Sequence, residues 1–167
     1  MKPTVAPFPA ARLRRTRQSA ALRGLVRENA LSVQDLIWPI FVRSGDGIEE
    51  PVPSMPGVMR RSADKAVIAA RDAADLGIPA ICLFPYTGLE ERTEDCAGAW
   101  DPDNHINRTI RAIKAEVPEI AIMTDVALDT YNINGHDGFV VDGEIVNDQT
   151  VEALVKMALA QADAGAD

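Results

Sequence analysis

Three aspartates, Asp125, Asp129 and Asp137, stand close together in Thr124-Asp125-Val126-Ala127-Leu128-Asp129 and the following Gly135-His136-Asp137-Gly138. Carboxylates gathered in one place can hold or relay a proton, or offer hard oxygen ligands to a divalent cation. If residues 120–128 form a strand, alternation puts Ile122, Thr124, Val126 and Leu128 on one face and Met123, Asp125, Ala127 and Asp129 on the other. The mostly apolar face belongs against helices, and the acidic face then points inward near the C-terminal end of the strand. A carboxylate there needs a cationic, hydrogen-bonding or metal partner. The glycines at 135 and 138 permit a sharp turn that brings Asp137 back over the same pocket. Taken singly, each aspartate could merely satisfy backbone amides or occupy a turn; three converging on one strand tip point to a functional site. His136 reads as a loop or packing residue rather than a ligand. His105 opens a helix and is assigned no role.

The elements that must position these groups follow a regular alternation. Leu36-Ile37-Trp38-Pro39-Ile40-Phe41-Val42 is a continuously apolar run of the kind found in strands covered on both faces. A loop rich in Pro and Gly runs from Ser44 to Gly57. Ser62 can then cap a helix with Ala66, Val67, Ala70, Ala73 and Ala74 at helical spacing, ending at Gly77. Ala80-Ile81-Cys82-Leu83-Phe84 is a second strand. Ile106, Ile110, Ile113 and Val117 line the next helix before Pro118 stops it. The third strand, from Ile120 to Leu128, is followed by a hairpin signal, Asp142-Gly143 between Phe139-Val140-Val141 and Glu144-Ile145-Val146. A last helix carries Val151, Leu154, Val155, Ala158 and Ala162 and closes at Gly165. Strand–helix repetition of this kind predicts right-handed βαβ units and a parallel sheet. At about 40–44 residues per unit, eight units after an arm would need roughly 350 residues, within the range of a TIM (β/α)8 barrel. The chain therefore reads as a basic arm over 1–30 and the first three βα units of such a barrel over 31–167, ending before a fourth strand.

Composition narrows the function classes. The chain has 167 residues, is 47% hydrophobic and carries a net charge of −8. No apolar run approaches the length of a membrane span, and no signal peptide precedes the arm. The two cysteines, Cys82 and Cys96, are unpatterned and read as free thiols of a cytoplasmic protein. Charge is divided unevenly: Lys2, Arg12, Arg14, Arg15, Arg17, Arg23 and Arg27 precede the first acid, leaving 10 basic against 25 acidic side chains beyond them. Nucleic acid is a poor partner for such an arm, because stacking aromatics are missing and the remaining chain repels phosphate. An organelle-targeting segment is a second reading. The acidic surface of a sister subunit in a homo-oligomer suits the charges better.

Several segments together resemble one enzyme family, the porphobilinogen synthases (5-aminolevulinate dehydratases). Thr124 to Asp129, Tyr131 and Gly135-His136-Asp137-Gly138 are similar to a barrel-strand motif of that family. Pro53-Ser54-Met55-Pro56-Gly57-Val58, Leu83-Phe84-Pro85, Asp101-Pro102-Asp103 with Arg108, and Gly143 to Thr150 follow in the family's order. The resemblance runs from about Arg12 to Asp167. It implies a TIM barrel that condenses two 5-aminolevulinate molecules into porphobilinogen with loss of two waters, in tetrapyrrole synthesis, through two lysine Schiff bases.

Residue by residue, the resemblance makes Asp125 the active-site aspartate that orients the lysine–substrate system or moves its protons. Phe84, Asp129, Tyr131 and Asp137 become pocket residues, with barrel filling the plain alternative for Phe84. Zinc-dependent members carry cysteines at the positions of Ala127, Asp129 and Asp137, so an aspartate-rich branch without active-site zinc is expected. Any Mg2+ would bind at a remote allosteric site outside this chain. The loop from Thr87 to Ala99, with Cys96, departs from the commoner family pattern. None of the lysines present, Lys2, Lys65, Lys114 and Lys156, matches a Schiff-base position, so the chain alone is expected to be inactive. Two other classes fit the residues: a metal-assisted β/α-barrel enzyme using the three aspartates as ligands, and a non-catalytic half-barrel that binds a partner.

Overall fold

The computed structural model describes residues 6–11 and 14–167. The chain divides into two compact units, residues 1–32 and 33–167. The first holds a 3-10 turn at Arg15–Arg17 and a helix, α1, at Ala20–Leu25, capped by Ser19, whose hydroxyl accepts the Leu22 N–H at 3.1 Å. Neither element buries a residue. Lys2 and Arg12 of the basic stretch lie outside the described residues.

The second unit opens with three strands: β1 at Ile37–Arg43, β2 at Glu49–Pro51 and β3 at Met59–Arg61. Helix α2, Ala63–Asp75, leads to β4, Ala80–Tyr86, and helix α3, His105–Glu116, leads to β5, Ala121–Thr124. The short strands β6, Val140–Val141, and β7, Glu144–Ile145, precede the long helix α4, Asn147–Ala164. The main sheet runs in the order β2-β3-β1-β4-β5, with β1, β4 and β5 parallel neighbours. This is the mixed α/β architecture with a parallel sheet that the alternation predicts.

Side-chain periodicity explains why the layers meet as they do. Ile40 and Val42 of β1, Ile81 and Leu83 of β4 and Ile122 of β5 all point to one face and are at most 1% exposed. Against that face lie Ala66, Ala69, Ala70 and Ala73 of α2 and Ile106, Ile110 and Ile113 of α3. Alanine on α2 lets the helix approach the sheet closely, while the isoleucines of α3 fill the wider space beside β4 and β5. On the other face of the sheet, Ile37 and Met123 remain about half exposed, at 48% and 50%.

Three local features depart from the sequence reading. The Pro- and Gly-rich loop contains β2, which pairs antiparallel with β3 and faces it with opposite charges, Glu49 opposite Arg61 and Glu50 opposite Arg60. Ion pairs at 3.0 Å and 2.9 Å join these partners. Ser62 stands at the start of α2, but its hydroxyl serves Ile48 N–H at 2.8 Å and the Asp64 carboxylate instead of capping the helix. The third predicted strand, Ile120 to Leu128, is ordered as strand only over β5. Leu128 is drawn away from the sheet into a second apolar cluster with Cys96, Ala99, Tyr131, Ala153 and Met157. The hairpin forms as expected: Asp142 and Gly143 take φ of 51° and 84°, the left-handed pair that a two-residue turn needs.

His105 is 6% exposed, at the first position of α3, and its ring stacks on Tyr131 at 6.3 Å between centroids. Burial holds its pKa down at about 4, outweighing nearby Glu91, which pulls it upward. The unfolded chain binds a proton near the ordinary histidine value and the folded chain does not. Stability is therefore intact above about pH 6.5 and is lost as pH falls toward 4, by up to roughly 3 kcal/mol. In His105→Phe, urea midpoints followed across this window should lose less of their value than those of the wild type. Parallel declines would show that His105 is not the group responsible.

Candidate functional site

The face of the sheet opposite the helices gathers the residues with chemistry. Cys82, Phe84 and Tyr86 alternate along β4 with the buried Ile81, Leu83 and Pro85. Phe41 of β1 pairs in register with Phe84, and their rings lie 5.8 Å apart, tilted by 42°. The β4–β5 ladder ends at Leu83 opposite Thr124, with a last bond from the Asp125 N–H to the Leu83 carbonyl at 3.4 Å. Asp125 thus leaves β5 level with Phe84, on the side of Cys82 and Met123. Period-two alternation dictates this placement, since Ile122 and Thr124 face the helices and Thr124 donates to Gln161 of α4 at 2.9 Å.

The segment beyond β5 folds back in a way the alternation does not describe. The Tyr131 and Asn132 N–H groups both bond the Leu128 carbonyl at 2.9 Å, forming a turn. Gly135 has φ of 68°, and the Asp137 carboxylate returns to accept the Asp129 N–H at 3.4 Å. Gly138 serves a different need: a Cβ there would meet Ile145 at 2.6 Å and Thr150 at 2.8 Å, so only glycine admits the hairpin this close.

Electrostatics tie the three carboxylates together. Asp125 is pushed above the ordinary aspartate range, first by burial and then by the negative charges of Asp129 and Asp137. Cys82 is raised as well, by burial and by Asp125. An aspartate held above its usual pKa beside an aromatic wall is suited to keep or pass a proton. Among the described residues, no group of three or more His, Cys, Asp or Glu is arranged to hold a metal ion. The neighbouring cations are engaged elsewhere: Arg60 lies over the Tyr86 ring at 3.8 Å, and Glu50 pairs with both Arg60 and Arg43.

The remaining residues singled out by sequence fall in different places. Tyr131 is 3% exposed and packs in the second apolar cluster, with its hydroxyl unpartnered among the described residues and its pKa raised by burial. Its hydroxyl is therefore not presented on the open face with Asp125, Phe84 and Cys82. His136 is exposed. Cys82 and Cys96 are free thiols, and Cys96 is buried with φ of 52°. Lys114 donates to the Ile120 carbonyl at 3.1 Å and pairs with Asp167 at 2.6 Å, at the end of β5 remote from Asp125. Lys156 lies over Trp100 at 5.5 Å, Lys65 sits in the first turn of α2, and Lys2 lies outside the described residues. One residue escaped the sequence reading: Arg92, within the acidic run Glu90 to Asp95, donates to the Asp129 carbonyl at 3.4 Å. Only its isolation as a base in that run could have drawn notice.

A parallel α/β sheet with a carboxylate cluster just past the C-terminal end of a strand is the arrangement of an α/β protein that this chain presents. The family model for delta-aminolevulinic acid dehydratase matches residues 10–167. The delta-aminolevulinic acid dehydratase of Rhodobacter capsulatus is 57% identical over 161 residues, 96% of this chain and 48% of the relative. That of Bradyrhizobium diazoefficiens is 49% identical over 158 residues, 95% of this chain and 45% of the relative. A crystal structure of the enzyme from Toxoplasma gondii, in complex with the reaction product porphobilinogen, superposes with a TM-score of 0.89 at 41% identity, covering 94% of this chain and 45% of that one. The chain belongs to the delta-aminolevulinic acid dehydratase family, and it spans about half the length of the curated relatives it matches.

The raised pKa of Asp125 yields a test of the cluster. Folding becomes less favourable as pH rises from the unfolded aspartate value through the higher folded one, because the folded state must then release a proton it holds more tightly. Asp125→Asn should accordingly raise the urea midpoint near neutral pH. The gain should fade toward about pH 3, where both forms of the wild type are protonated. A midpoint unchanged at neutral pH would mean that neither burial nor the two neighbouring carboxylates holds the Asp125 pKa up.

Proposed function

We propose that this chain supplies the first βα units of a TIM-barrel porphobilinogen synthase, which condenses two 5-aminolevulinate molecules into porphobilinogen with loss of two waters. The observation that carries the reading is Asp125, set beside Phe84 on the open face of the sheet and pushed above the ordinary aspartate range by burial and its two acidic neighbours. The sheet supports the barrel geometry: parallel β1, β4 and β5 have helices on one face, and the Asp167 N–H bonds the Ile122 carbonyl at 2.9 Å along the outer edge of β5. The ketone-binding lysines come from outside this chain, since Lys114 and Lys156 are held by other partners and Lys65 lies on a helix. A lysine amine attacks a ketone only when neutral, and Schiff-base formation then expels water. In this reading Asp125 takes and returns the protons of that exchange. Phe84, level with it on the neighbouring strand, and Phe41 add apolar surface to the same face.

Charge and ligand chemistry extend the proposal. Ala127, Asp129 and Asp137 present one methyl group and two carboxylates, a set that does not fit the three-thiolate zinc site of other family members. The enzyme works without zinc there, and any magnesium acts from a site outside this chain. The basic residues of the first unit pack against an acidic surface of another subunit in a homo-oligomer. No helix among the described residues is long and apolar enough to cross a membrane. We place the enzyme in the cytoplasm.

Borohydride trapping with labelled 5-aminolevulinate tests the reading. A complete protein carrying this segment should retain label and form porphobilinogen, and the 167-residue chain should do neither. Asp125→Asn in the complete protein should lower kcat by at least about 100-fold. Label trapped on Lys65, Lys114 or Lys156 would move the active site elsewhere. Elemental analysis of the complete protein, purified without added metal, should find no stoichiometric zinc; one zinc per chain lost together with Asp129→Ala would reverse the metal assignment.

A further inference from the structure

The backbone ladder between β4 and β5 stops at the Asp125 N–H and resumes only where Thr93 and Asn132 form a parallel bridge. There the Thr93 N–H bonds the Tyr131 carbonyl at 3.0 Å, and the Ile133 N–H bonds the Thr93 carbonyl at 3.2 Å. The acidic segment lies in the gap. Arg92 crosses that gap with its planar fork: Nε and Nη2 both donate to the Thr87 carbonyl, at 3.2 and 3.1 Å, and Nη1 donates to the Asp129 carbonyl at 3.4 Å. Thr87 follows directly on β4 and is 3% exposed, so one end of this staple is fixed to the sheet.

At the other end, the two peptide groups of Asp129 are held from opposite sides. Its N–H goes to the Asp137 carboxylate, and its carbonyl receives Arg92. The fork spans two carbonyls that a single ammonium on a flexible stem cannot span in the same geometry. Its charge is delivered to backbone oxygens and not to a carboxylate. Its influence on the site is therefore one of position.

We infer that Arg92 is a positioning residue of the active site: by stapling the end of β4 to the Asp129 carbonyl, it fixes where Asp129 and Asp137 stand relative to Asp125. This inference rests on the proposed synthase reading. Displacing a catalytic constellation by about 1 Å can lower the rate by about 100-fold without abolishing binding. The effect of removing Arg92 should appear in kcat.

The experiment measures kcat and KM for porphobilinogen formation, with thermal midpoints alongside, in the complete wild-type protein and in Arg92→Ala, Arg92→Lys and Arg71→Ala. Arg71 is the control, an arginine of α2 that donates to the Glu116 carbonyl at the end of α3 and pairs with Glu119 of the following turn at 2.9 Å. Arg92→Ala should lose about 10- to 100-fold in kcat, with KM changed by less than about 3-fold. Arg92→Lys should fall between it and the wild type, and Arg71→Ala should keep wild-type kcat whatever its midpoint. A wild-type kcat in Arg92→Ala, or a loss confined to KM, overturns the inference. If Arg92→Ala does not fold, Arg92→Lys decides, and wild-type kcat there overturns it equally. A complete wild-type protein that makes no porphobilinogen overturns the synthase reading instead, an outcome visible before any variant is measured.

Discussion

The site depends on the interlock of Ile40, Val42, Ile81, Leu83 and Ile122 with the alanines of α2 and the isoleucines of α3. Side chains on a strand alternate with a period of two, so a slip of one residue would exchange every buried group for its neighbour. For β5 such a slip would bury Met123 and Asp125 against the helices and turn Ile122 and Thr124 to the open face. An unpaired carboxylate among those isoleucines would cost several kcal/mol. The apolar packing thus selects the one register in which Asp125 emerges level with Phe84. Gln161 of α4 reinforces the choice by receiving the Thr124 hydroxyl and donating to the Asp125 carbonyl at 3.2 Å.

Much of this was legible because single residues carry strong local rules. Runs of branched apolar residues marked β1 and β4, Gly77 and Gly165 marked helix ends with φ of 78° and 111°, and Asp142-Gly143 marked its turn. The emergence of Asp125 just past β5 followed from alternation, whereas a turn places Asp129 and Asp137. What stayed hidden depends on contacts distant in sequence. β2 and β3 are held by Glu49, Glu50, Arg60 and Arg61, whose pairing has no apolar alternation to betray it. Leu128 has the same residue type as a strand side chain, and nothing local reveals that it belongs with Met157 and Tyr131 instead. The Arg92 contact joins positions 37 apart through a backbone carbonyl, which leaves no mark on the identity of residue 129.

The charges of the second unit are segregated along its strands. Just past the C-terminal end of β5, burial and then the negative charges of Asp129 and Asp137 leave Asp125 reluctant to ionise. At the N-terminal end, the Asp167 carboxylate accepts from Lys114 at 2.6 Å and from the Ile122 N–H at 2.8 Å, which hold its pKa below the usual range. The same side chain type is thus kept acidic at one end and proton-retaining at the other, through the partners each end supplies. His105 extends the pattern: burial outweighs Glu91, and the imidazole stays neutral through mildly acidic conditions.

The two terminal strands of the main sheet, β2 and β5, meet the surrounding solution very differently. The outer strand β2 is short, carries Glu49 and Glu50, and ends in Pro51, which has no N–H to offer. A second copy approaching that rim would find only three residues to pair with, one of them without a donor, and glutamates already engaged by Arg43, Arg60 and Arg61. Along β5, Ala121, Ile122, Met123 and Thr124 carry no charge, and the Ile122 carbonyl already accepts a further backbone N–H. Accretion of strands is thereby made directional, discouraged at one rim by brevity and a missing donor and templated at the other.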